Sequence, residues 1–256
     1  MLKTRIIPML LFRDVGLVKG AAFDSWRRVG APMQAVKVFN MRDVDELVLL
    51  DIGAVGNNQE PDYDLVKSLA EECMVPLTVG GGVLDSEMVR QLLLAGADKV
   101  SINTAAYENP SVISESAKRF GVQCVVASID CRKNEDGSHQ CFSHCGTVAT
   151  GREVVSWARE LESLGAGEIL LTSIDRDGTM EGFDLELIRK ITSEVSIPVI
   201  ASGGAGSYED IEQAISLGKA SAVSASSIYL FTEATPLGAK MYLEAKGIPV
   251  RNSAVR

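Results

Sequence analysis

The chain repeats itself at a fixed distance, and that repeat constrains the fold more than any single motif does. Val75-Pro76-Leu77 and Ile197-Pro198-Val199 lie 122 positions apart. At the same offset Gly81-Gly82 returns as Gly203-Gly204, Glu46 as Glu168, Gln91 as Gln213, and the helix opener Asp85 as Ser207. Asp and Ser are both good N-caps, so the last pair keeps its job while changing its residue. A constant offset across four such units predicts a molecule made of two halves. A feature in one half should have a twin in the other.

Between the repeated landmarks, short apolar runs alternate with helix-like segments, the pattern of a parallel sheet flanked by helices. Strands are predicted near 5–11, 46–52, 76–80, 99–103, 124–130, 168–173, 198–202 and 222–226. A complete (β/α)8 barrel takes about 250 residues, and the spacing leaves no room for a second domain. The prediction is one α/β domain over 1–256, a (β/α)8 or TIM barrel built from two half-barrel repeats.

Charge and cysteine usage narrow the partners. With 25 Lys plus Arg against 34 Asp plus Glu, the formal net charge is −9, a poor match for nucleic acid or an anionic membrane surface. No apolar run reaches the roughly 20 residues of a bilayer span. The run Ile6 to Phe12 is broken by Pro8 and lacks a small-residue cleavage site, so it does not read as a signal peptide. Five irregularly spaced cysteines in a chain of this size suggest reduced thiols and a cytoplasmic location.

Barrel sites lie at the C-terminal ends of the strands, which is where this chain places glycine. Gly80-Gly81-Gly82 follows the third predicted strand and Gly203-Gly204 the seventh; Asn103-Thr104 ends the fourth and Ala225-Ser226 the eighth. Glycine lets backbone N–H groups approach an oxyanion. Two such sites would suit a small ligand with an anionic group at each end; the plainer alternative is tight loops. Strand parity puts Val126, Ser128 and Asp130 on one face, and Lys99, Ser101 and Asn103 on another. With Thr78, Thr172 and Ser202 this predicts a hydroxyl-rich interior suited to a wet or ammonia-conducting core, or ordinary filling with Thr and Ser. Asp130 ends its strand as a candidate general acid or base. Aligning Arg5 to Leu11 on Cys124 to Asp130 puts Leu11 in the mirrored slot, leaving one carboxylate where symmetry has room for two. At the strand starts, Arg5, Glu46, Lys99 and Glu168 could form a charged ring across the floor, or stand as four solvated charges.

Cys131, His139, Cys141, His144 and Cys145 invite zinc, but their spacing fits no standard zinc pattern, and Asn134 to Gly137 reads as a hairpin turn. No metal and no cofactor are expected. Both histidines fall in this loop, which leaves neither as an obvious core base.

Several long segments resemble the cyclase subunit family of imidazole glycerol phosphate synthase: Arg5-Ile6-Ile7-Pro8, Val18-Lys19-Gly20, Gly96 to Thr104, Ile174-Asp175-Arg176-Asp177-Gly178-Thr179, Ile197 to Gly206, and Gly247 to Arg251. The resemblance implies a glutaminase subunit docked on the barrel floor, with Asp98 beside Lys99 at the interface. Ammonia would pass a gate of Arg5, Glu46, Lys99 and Glu168 to a bis-phosphorylated substrate at the top. It also implies phosphate or substrate contacts at Gly82, Asn103, Thr104, Asp177, Gly178, Gly204 and Ser226, a mobile-loop lysine at Lys19, and a catalytic aspartate at Asp130. The family's second catalytic aspartate falls on Leu11. That departure, with Glu60-Pro61-Asp62-Tyr63-Asp64-Leu65, resembles a paralogous group from bacterial surface-polysaccharide loci. Those proteins work with a glutaminase and a third, amidotransferase-like protein to turn an acetamido group on a sugar into an acetamidino group. The alternatives are a genuine histidine-pathway cyclase subunit and a non-catalytic, ammonia-conducting scaffold.

Overall fold

The computed structural model describes residues 3–57 and 59–251; the ends of the expected 1–256 span lie outside them. Eight parallel strands close on themselves: β1 (Arg5–Arg13), β2 (Leu47–Asp51), β3 (Leu77–Gly80), β4 (Lys99–Ile102), β5 (Val125–Lys133), β6 (Glu168–Ser173), β7 (Val199–Ser202) and β8 (Ala222–Ala225). Each pairs with the next, and β8 pairs with β1 through Arg5↔Ala222 to Pro8↔Ala225. The fold is a (β/α)8 barrel. The observed strands agree with the expected ranges to within three residues at every end, 168–173 matching at both, and β1 and β5 run on to Arg13 and Lys133 because each continues into a hairpin.

Eight helices ring the sheet: α1 (Pro32–Asn40), α2 (Tyr63–Glu72), α3 (Ser86–Leu94), α4 (Ser111–Phe120), α5 (Val154–Ser163), α6 (Leu185–Thr192), α7 (Tyr208–Ser216) and α8 (Pro236–Ala245). At the entrances of all but α1 and α4, a side chain accepts from free N–H groups. Asp85 accepts from Glu87 and Met88, and its repeat partner Ser207 accepts from Asp210.

Both faces of each strand are buried, which is why the strands read as near-continuous apolar runs. One parity faces the helices: Ile6, Leu10, Leu47, Leu49, Ala127, Ile129, Ile169 and Leu171 belong to the large outer core. The other parity fills the barrel, where Ile7, Met9, Leu11, Val48, Val126, Leu170, Ile200 and Ala222 form a separate inner cluster. The same interior holds the buried hydroxyls of Thr78, Ser101, Ser128, Thr172, Ser202 and Ser224. Apolar and hydroxyl side chains are mixed along it: Thr78 pairs with Val48 and Lys99 near the floor, and Leu11 lines the upper cavity.

The half-barrel repeat extends into elements missing from the predicted strand set. A hairpin of Gly16–Ala21 and Asp24–Gly30 extends β1, and one of His139–Ser143 and Val148–Glu153 extends β5. Short helices follow β4 (Thr104–Glu108) and β8 (Ser227–Phe231), so Asn103 and Ser226 cap helices rather than end strands. The turn at Asn134 to Gly137, expected from the sequence, joins β5 to His139–Ser143; the β1 hairpin and the second strand of the β5 hairpin were not expected, because the tips at Ala22-Phe23 and His144-Cys145 carry neither Asn-Gly nor Asp-Gly.

Candidate functional site

At the floor the four charges at the strand starts form a closed ring. The Arg5 guanidinium donates to Glu46 at 2.8 Å and to Glu168 at 2.9 Å; Lys99 donates to the same two carboxylates at 2.9 and 3.2 Å. All four side chains are largely buried. Burial opposes the Arg5 charge, but Glu168 and Glu46 more than reverse it and hold the guanidinium above its ordinary range. Glu168 Oε2 is buried without a hydrogen-bond partner. Asp98, exposed on the same side, gives one carboxylate oxygen to the Leu77 N–H at 2.8 Å.

The twin glycine loops occupy the opposite face, but their surroundings differ. Gly81 and Gly82 have φ of 109° and 70°, Gly203 and Gly204 of 89° and 114°. A Cβ on Gly81 would run into the Asp51 carbonyl, and one on Gly204 into the Gly182 carbonyl, so both close approaches require glycine. Beside the first loop opens a cavity of about 340 Å³ that gathers Gly82, Asn103, Thr104 and Asp130 with Leu11 and Ser128. Beside the second the space is about 20 Å³, lined by Lys19, Asp177, Gly178, Gly204 and Ser226 among others. The β1 hairpin fills the second site. Lys19 Nζ donates to both oxygens of Asp177 at 2.8 and 2.7 Å, and Ala22 N–H donates to the Asp177 carbonyl at 2.7 Å.

Asp130 is buried in the cavity wall, where its carboxylate accepts from Asn103 Nδ2 at 2.7 Å. Burial, and secondarily the nearby Asp177 charge, push it up to about 7 against opposition from Thr172 and Asn103. A carboxyl raised in this way is suited to proton exchange near neutral pH. Its folded value is raised, so the fold is penalised as pH rises from the carboxylate range through about 7. Asp130→Asn is accordingly expected to raise the melting temperature at pH 8 and leave it nearly unchanged at pH 4; thermal scans at both values test this, and equal shifts would count against a buried, costly charge.

The predicted site residues thus separate into three groups. Gly82, Asn103, Thr104 and Asp130 share the open cavity; Lys19, Gly178, Gly204 and Ser226 share the filled pocket; Arg5, Glu46, Lys99 and Glu168 lie on the floor. Asp177 borders both upper spaces. The mirrored slots hold Leu11 and Asp130 as expected, and Asp51, Glu60 and Glu108, which the sequence did not single out as site residues, line the cavity with Asp177. Asp51 is raised by burial despite accepting from the Gly53 and Ala54 N–H groups. The 131–145 loop was also misjudged in part. Cys131 and Cys141 are buried opposite each other in the ladder, and His139 bonds Asp184 at 3.0 Å, but His144 and Cys145 reach the cavity wall, as do Phe23 and Trp26.

A closed barrel with a charged floor and an acid-lined cavity at its upper end has the architecture of (β/α)8 proteins that handle small molecules at the C-terminal face. The family model described as histidine biosynthesis protein matches residues 5–234. The chain belongs to that family. Among the described residues, no helix is long and apolar enough to cross a membrane.

Proposed function

We propose that this chain is the ammonia-channelling barrel of a glutamine-dependent complex that forms an acetamidino group on a bacterial surface-polysaccharide sugar. The observation that carries the reading is Leu11. It lines the same cavity as Asp130 and is itself buried, so an apolar side chain stands where ring closure would use a second proton-transferring group. Asp130 is the remaining acid–base candidate, Lys19 the hairpin clamp, and Gly82, Asn103, Thr104, Asp177, Gly178, Gly204 and Ser226 the binding set.

The route suits ammonia. Glu168 Oε2 offers a free acceptor at the floor ring. The apolar collar above it, Ile7, Val48, Val126, Leu170, Ile200 and Ala222, favours neutral ammonia over ammonium. Interior hydroxyls, from Thr78 beside Lys99 to Ser101, Ser128 and Thr172 in the cavity wall, accompany the route. A docking face for the glutaminase is supported by Met41, Met74, Leu94 and Val122, all strongly exposed at or just beyond the C-terminal ends of the first four helices, on the floor side. The Asn40 side chain bridges the Glu72 carbonyl and the Met74 N–H, which braces that edge. The histidine-pathway cyclase remains the second reading, favoured by the family match itself.

The test is reconstitution with a glutaminase and an amidotransferase-like protein of the surface-polysaccharide type. Glutamine-dependent conversion of an acetamido sugar to its acetamidino form supports the reading, and conversion unaffected by omitting the barrel sinks it. Lys99→Glu and Asp98→Lys are expected to weaken glutaminase association by about tenfold or more. Undiminished association in both variants would exclude this face.

A further inference from the structure

The two hairpin tips are repeats of each other. Ala22 and Phe23 have φ of 49° and 61°; His144 and Cys145, at the same 122-residue offset, have 50° and 53°. Two successive non-glycine residues in the left-handed region are uncommon, and here the pair occurs once in each half. The tips also meet over the barrel mouth, since a Cβ on Gly146 would strike the Phe23 ring.

Each hairpin reaches across to the site of the other half. The β1 hairpin brings Lys19 to Asp177 beside Gly178, Gly204 and Ser226. The β5 hairpin makes the reciprocal reach. Cys145 Sγ donates to the Ile52 carbonyl at 3.3 Å, after β2, and the His144 N–H donates to Thr104 Oγ1 at 3.0 Å, after β4. His144 thereby lines the cavity with Gly82, Asn103 and Thr104.

That cavity has a charge problem as an anion site. Asp51, Glu60, Glu108, Asp130 and Asp177 line it, while among the described residues no lysine or arginine does. Arg13 lies outside the lining, half exposed, with Asp14 at 3.9 Å. His144 is the one lining side chain able to carry a positive charge. Its Nδ1 lies 3.0 Å from Ser143 Oγ, its Nε2 lies 3.6 Å from Glu108 Oε1, and the ring is partly exposed.

We infer that His144 is the first-half counterpart of Lys19: the side chain that supplies positive charge to an anionic group, such as the phosphate of a phosphorylated sugar, held at Gly82, Asn103 and Thr104. The inference rests on reading the glycine loops as anion sites. Ligand oxygens would displace Glu108 as the counter-charge of the imidazolium, and the Thr104 hydroxyl, already accepting from the His144 N–H, is left to donate to them. Both the charge and the orientation of Thr104 then come from one tip residue.

Sulfate is the probe, because its charge is constant between pH 6 and 8. Titration followed through the amide signals of Gly82 and Gly204 separates the two sites. At pH 6 the wild type is expected to bind sulfate at Gly82 about tenfold more tightly than His144→Gln. His144→Lys should keep the tighter binding. Equal affinity of wild type and His144→Gln at pH 6 would overturn the inference while leaving the anion site intact. An equal loss at Gly204 would mark a general disturbance and also overturn it. If no variant shifts Gly82, the anion reading itself falls, and this inference with it.

Discussion

Ammonia-dependent turnover of the bis-phosphorylated histidine-pathway substrate by this chain is expected to be about 10²–10⁴-fold below that of a relative carrying aspartate where Leu11 stands, the usual cost of one missing acid or base. Leu11 faces the cavity from β1, and Asp130 faces it from the mirrored position on β5. Leucine cannot exchange a proton. Its apolar wall also contributes to the dry surroundings that push Asp130 up to about 7. Residual turnover should therefore inflect near pH 7, rising with pH if Asp130 acts as base and falling if it acts as acid. Leu11→Asp should recover part of the activity. A further carboxylate facing Asp130 would raise the value of one of the two, so the inflection should move alkaline in the variant. Steady-state rates across pH 5–9 for both proteins provide the check. Wild-type turnover equal to that of an authentic cyclase would transfer the assignment to histidine biosynthesis.

The largest stability effect is expected far from the cavity, at Lys240. This lysine on α8 is 4% exposed, and its Nζ lies 2.8 Å from Asp45 Oδ1 and 3.2 Å from Asp43 Oδ2. Asp45 is 1% exposed, and its other oxygen accepts from the Ile6 N–H at 2.8 Å, tying the start of β1 to the last helix. Lys240→Met leaves that carboxylate buried and unpaired, which costs about 3–5 kcal/mol. Burial already raises Asp45 despite Lys240 and the Ile6 N–H. Without the lysine it must rise further, so the charged form is penalised more. The deficit should therefore grow as pH increases through the carboxylate range and be smallest in acid. Urea unfolding of wild type and Lys240→Met at pH 5 and pH 8 measures both parts. A deficit under about 1 kcal/mol at pH 8 would show that Asp45 has another route to solvent or a partner.

The sequence by itself determined the barrel and its two-fold repeat. Strand parity is local, with alternate residues pointing to opposite faces, so the inward positions of Ser101, Ser128, Asp130, Thr172 and Ser202 could be read from each strand alone. The floor ring was legible for the same reason, since four strands each begin with a charge and closure brings their starts together. The 122-residue offset carried the glycine loops. It also connected 22–23 with 144–145, a signal present in the numbering but masked by dissimilar residues. Tertiary structure alone decided that the two halves are unequal. Lys19 meets Asp177 across 158 positions, and that contact leaves about 20 Å³ beside one glycine loop while the space beside its twin stays open at about 340 Å³. The acidity of the open cavity and the arrival of His144 at its wall depend likewise on hairpins folding over from the opposite half. Local propensity fixes which face a side chain takes; which distant segment it then meets depends on how the closed barrel spaces its loops, and no window of sequence holds that information.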